Sequence, residues 1–113
     1  MILDIGEKVH IIERRYFDED LRRHFVGEII GSTENAIRAK GHVWVLDKMK
    51  GTFVQKPEKR ERVIYPGDRT NINIIPSEVN LNEIKYITKP ERILVVTDGK
   101  TFSLDINEFG LRR

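Results

Sequence analysis

Arg38, Lys40, His42 and Trp44 stand at every second position of one stretch of the chain. Alternate residues of a strand share a face, so a strand here would present two cations, an imidazole and an indole to one side. Cations beside an aromatic can hold phosphates and stack a base, the chemistry of single-stranded nucleic-acid binding. The plainer reading is a solvated outer face on which Trp44 packs across the strand or under a loop, as half-exposed antiparallel strands ordinarily do. Lys48, Lys50, Lys56, Lys59, Arg60 and Arg62 make 47–62 the most basic region of the chain, interrupted by Glu58 and Glu61. Such a patch can attract phosphate backbones; a charged, solvated loop explains the same composition. Arg14, Arg15, Arg22 and Arg23 lie beside Asp18, Glu19 and Asp20, which balance them.

Other chemistries lack their residues. His10, His24 and His42 show no metal-ligand spacing such as His-x-x-x-His. No serine occupies a Gly-x-Ser-x-Gly elbow. Gly27 and Gly31 sit in and beside a strand with no helix after them, so they do not form a phosphate loop. Cysteine is absent, which excludes disulfides, thiolate metal sites and cysteine nucleophiles. The expectation is a binding or assembly module, not an enzyme, with no cofactor, no metal and no evident small-molecule substrate.

The chain has 113 residues, 39% hydrophobic and 34% charged, with a formal charge of +2. That describes a single soluble domain large enough to bury a core, less basic than a typical nucleic-acid-binding domain. Asp4, Glu7, Lys8 and Glu13 break any apolar run near the start, so no signal peptide is read there. No segment approaches the roughly 20 apolar residues of a membrane helix. A cytoplasmic location with no membrane partner is expected.

Strands must position these groups. Phe25, Gly27 and Ile29 alternate with Val26, Glu28 and Ile30, and Ile37, Ala39, Gly41, Val43 and Val45 alternate with the basic-aromatic set. This period of two, joined by turn chemistry at 31–35, marks a pair of half-buried strands. Gly27 and Gly41 lie inside them and permit a sharp bend. A β-branched run at 8–15 reads as the first strand. Residues 16–23 read as one or two helical turns or a structured loop. A turn at 47–51 leads to a short strand at 52–55, a solvated loop at 56–62 around Pro57, and renewed β character at 62–65. Pro66-Gly67-Asp68 is a turn, and 71–75 a strand. Ser77 is placed to cap a short turn through Glu83. Asp98-Gly99 suits a two-residue type I′ hairpin pairing Thr97 with Lys100, Val95 with Phe102 and Ile93 with Leu104.

The order of elements from Ile5 to Ile75 resembles the Sm-like small-barrel superfamily, which includes eukaryotic Sm proteins and bacterial Hfq. Val9-His10-Ile11 followed by Phe25-Val26-Gly27-Glu28-Ile29 is similar to the opening of the first Sm signature, and Gly67-Asp68 with Ile72 and Ile74 to the second. Asn35, just before Ile37, occupies a place similar to that signature's RNA-contacting asparagine. The resemblance implies a ring-forming homo-oligomer that binds RNA. The expected fold is mostly β: a small, strongly bent antiparallel sheet or barrel spanning about 5–76, with an inserted hairpin or loop at 47–62 and an additional hairpin at 90–107. The candidate nucleic-acid or anion-binding residues are Asn35, Arg38, Lys40, His42, Trp44, Lys48, Lys50, Arg60 and Arg62. The alternative is a structural or protein-interaction module, such as a phage or assembly component, with no nucleic-acid ligand.

Overall fold

A computed structural model describes residues 2–13, 22–67, 69–90 and 93–106. The first five strands are β1 (Lys8–Glu13), β2 (Arg23–Ser32), β3 (Ile37–Asp47), β4 (Thr52–Ile64) and β5 (Thr70–Ile75). A 3-10 turn at Leu81–Glu83 precedes β6 (Lys85–Lys89), β7 (Ile93–Thr97) and β8 (Ser103–Asp105). The strands make two antiparallel sheets, one of five strands in the order β4-β3-β2-β1-β5 and one of three in the order β6-β7-β8. The protein is therefore mostly β, but β4 and β5 lie at opposite edges of the larger sheet and do not close it into a barrel. Among the described residues no helix is long and apolar enough to cross a membrane.

Both faces of the larger sheet are covered. On one, Val9, Ile11, Phe25, Ile29, Ile37, Ala39, Val43 and Ile64 pack together with Leu3. They form one continuous apolar surface across four neighbouring strands. The other face carries Val26, Trp44, Phe53 and Ile75, which pack against Val79, Ile84, Tyr86, Val96, Phe102 and Ile106 from the C-terminal segment. β1 is consequently buried on both sides from Val9 to Ile12.

Gly27 and Gly41 face each other across β2 and β3. A Cβ on Gly41 would collide with the carbonyl oxygen of Val26, and one on Gly27 with that of Lys40. The two backbones thus approach more closely than any side chain permits. A bulge between Ile29 and Gly31 in β2 adds a further irregularity near this point.

Three local expectations are corrected. Residues 56–62 are not a loop: β4 runs unbroken through Pro57, and 47–62 is the long β3–β4 hairpin. Proline is tolerated there because β4 is an edge strand and the pairing with β3 shifts between His42 and Trp44. Val54 to Val63 are exposed throughout, so charge covers both faces and erases the alternation that marks a strand. The β7–β8 register also differs, with Val95 opposite Asp105, Val96 opposite Leu104 and Thr97 opposite Ser103. Asp98 Oδ1 accepts from the amides of Lys100, Thr101 and Phe102, at 2.9, 3.1 and 3.0 Å. That carboxylate organises a longer loop, and the three backbone donors hold its pKa below the usual carboxylate value, the Phe102 amide foremost. Finally, Asn80 caps the 3-10 turn by accepting from the Asn82 amide, where Ser77 was expected to. The expected helical turns at 16–23 fall mostly outside the described residues, apart from Arg22 and Arg23, the latter opening β2.

Candidate functional site

Strand register sorts the basic residues between the two faces. On the face toward the C-terminal sheet, Lys40 stands between Glu28 of β2 and Glu61 of β4, and Glu28 is opposite Lys8 of β1. Charges of alternating sign thus cross four strands in one row, a favourable cross-strand arrangement. In the next row His42 lies between Val26 and Lys59, and beyond it Trp44 lies between His24 and Gln55. These side chains and the 3-10 turn enclose a cleft of about 140 Å3. Lys40 and Lys59 supply its cations, His42 an imidazole, Gln55 and Asn82 its amides, and Val26, Ile30, Trp44 and Leu81 its apolar wall, with Glu28 at one side.

Of the residues singled out from the sequence, Lys40, His42 and Trp44 meet in this cleft. Trp44 is only 8% exposed and its ring lies 4.9 Å from that of Tyr86. It offers an edge, not an open stacking platform, because the C-terminal sheet covers it. Arg38 is exposed on the same face, opposite Gly31 and Val63, and does not line the cleft. Arg60 and Arg62 pair with Gly41 and Ala39, which places them on the opposite face. Arg60 there forms an exposed ion pair with Glu58 at 3.0 Å. Asn35 is exposed in the β2–β3 turn, where Thr33 Oγ1 accepts from its backbone amide. Lys48 and Lys50 are exposed in the β3–β4 turn, where Asp47 Oδ1 accepts from the Met49 and Lys50 amides. The two turns lie at opposite ends of β3. Gln55 and Asn82 were absent from the sequence reading, and Lys59 entered it only as part of the basic region 47–62; cross-strand pairing with a correctly placed β4 would have brought Gln55 and Lys59 to this face.

A second polar cluster lies wholly inside. His10 on β1, His24 on β2 and Tyr86 on β6 converge, with exposures of 0, 2 and 7%. His10 Nε2 is 3.1 Å from both His24 Nδ1 and the Tyr86 hydroxyl, and that hydroxyl is 2.9 Å from His24 Nδ1. Asn73 Nδ2 donates to His10 Nδ1 at 3.2 Å. This network assigns the proton of His10 to Nε2, which donates to Tyr86, while the Tyr86 hydroxyl donates to His24 Nδ1. The remaining proton of His24 then sits on Nε2, a buried atom with no hydrogen-bond partner. His24 also stacks on Phe53 at 4.3 Å, and Phe53 stacks on Tyr86 at 4.7 Å.

Burial holds all three groups neutral. It lowers the His10 pKa to about 4. It lowers that of His24 to about 3, with smaller contributions from the nearby His10 and Arg22. It raises the Tyr86 phenol well above its ordinary value. Sealed from solvent, the cluster ties β6 to β1 and β2 and fixes how the two sheets meet.

Comparison with protein-family models, with curated proteins and with solved structures finds no match for this chain.

Proposed function

We propose that the protein is a non-catalytic binding and assembly module that takes single-stranded nucleic acid, RNA in the first instance, along the face of β3 bearing Lys40 and His42. The cleft carries this reading. It gathers Lys40, His42 and Lys59 against the edge of Trp44 and beside two amides, a combination suited to a phosphate with an adjacent base. Arg38 extends the cationic line toward the Asn35 turn. The interleaved Glu28 and Glu61 keep the local field modest, so binding is expected to be salt-sensitive and moderate in affinity.

Ring assembly of the Sm-like kind belongs to the same proposal. It draws support from the strand order of the larger sheet, which leaves β4 and β5 as edges on opposite sides. Val63 on β4 and Ile74 on β5 are each 51% exposed. Adding β4 of one copy to β5 of the next is a head-to-tail contact, which repeats until it closes. The free edges equally favour a second reading, assembly with no nucleic-acid ligand.

Salt titration of RNA affinity separates the two. The Arg38→Glu/Lys40→Glu protein should bind more weakly and with a shallower salt slope. Unchanged binding would remove the nucleic-acid reading. A strict monomer by light scattering at high concentration would remove assembly.

A further inference from the structure

The opposite face of the larger sheet carries a separate cavity of about 300 Å3, at the lower end of the range for small-molecule sites. Its floor is Ile11, Phe25, Val43 and Ile64, all members of the core on that face and each less than 10% exposed. Its rim carries Glu13, Arg23 and Arg62. Glu13 and Arg23 stand directly opposite each other on β1 and β2, so their formal charges sum to zero, although no ion pair joins them among the described residues. Arg60, two residues from Arg62, is engaged by Glu58. Arg62 has no ion pair or hydrogen bond among the described residues. Among the described residues the rim thus carries one net positive charge above an apolar floor, with the Arg62 guanidinium open to an anion.

We propose that this cavity is a binding site for a small apolar monocarboxylate, its hydrocarbon part on the floor and its carboxylate on Arg62. A guanidinium presents a planar pair of donors that matches a carboxylate. One net positive charge suits a monoanion better than a phosphate dianion. The site lies on the other face from the nucleic-acid cleft, so it stands or falls independently of that reading.

The test uses the full chain and two probes, 3-phenylpropionate and its uncharged amide, followed by nuclear magnetic resonance. The carboxylate should shift the methyl signals of Ile11, Val43 and Ile64. A charge-assisted hydrogen bond is worth enough that the amide, and the Arg62→Gln protein with the carboxylate, should each bind about tenfold more weakly or worse. Arg62 is an exposed edge-strand residue, so this variant keeps the fold. Equal affinity for acid and amide overturns the proposal. So does the absence of shifts at the floor methyls up to millimolar probe, or displacement of the probe by an RNA oligonucleotide.

Discussion

Acid should unfold this protein through its two buried histidines. In the unfolded chain each titrates near 6.5; in the folded protein His10 is lowered to about 4 and His24 to about 3. Because the folded values are depressed, the unfolded state binds protons first as pH falls. The contribution of the neutral imidazoles is complete above pH 6.5 and is lost progressively below it, down to the folded values. By linkage, going from pH 7 to pH 5 removes about 2 kcal/mol for each histidine, so about 4 kcal/mol together. A small domain typically has about 5–15 kcal/mol in total, so the loss is a large share. The assay is urea unfolding at a series of pH values, read by Trp44 fluorescence. Trp44 is the chain's one tryptophan and its ring lies beside that of Tyr86, so it reports on the same interface. Replacing His10 by glutamine lowers stability at pH 7 but flattens its fall toward pH 5. If wild-type stability at pH 5 and pH 7 agrees within about 0.5 kcal/mol, or if either imidazole titrates near 6.5 in the folded protein, the buried neutral cluster is refuted.

Other outcomes follow from the same geometry. Tyr86→Phe removes the hydroxyl that both histidines contact, and the stranded polar atoms should cost about 1–3 kcal/mol in urea unfolding. The raised phenol pKa of Tyr86 gives the opposite sign in alkali: its contribution is whole below about pH 10 and is lost as pH rises further, so Tyr86→Phe should blunt alkaline unfolding. Gly41→Ala drives a methyl into the Val26 carbonyl and should cost about 1–3 kcal/mol or more. Gly67→Ala meets nothing within 4 Å and should leave the melting temperature unchanged. Lys40→Glu/Lys59→Glu should reduce the logarithmic salt slope of single-stranded RNA binding by about 1.4 if each lysine neutralises one phosphate; an unaltered slope would place the nucleic acid elsewhere.

Period-two patterning was enough to locate β2, β3 and β5, and a β-branched run located β1. The patterning also singled out Gly27 and Gly41 as places for a sharp bend, while their close backbone approach came from the pairing of β2 with β3. The ends of β4 were legible, in the strand at 52–55 and the β character at 62–65; its middle escaped notice because it is exposed on both faces, which leaves no alternation to read. The Asp98 loop escaped because an Asp-Gly pair signals a turn, while its length depends on which amides the carboxylate engages. The basic-aromatic set of β3 was legible as sharing a face, but not what covers that face. Trp44 went inside because Tyr86 arrives from a distant segment. His10 and His24 became a cluster for the same reason, through contacts to Tyr86 that are 76 and 62 residues apart in sequence. Local spacing determines which side of a strand a residue takes. Only the docking of one sheet on the other decides whether that side meets water or a neighbour, because the burial that drives docking depends on total apolar area and has no local address in the chain.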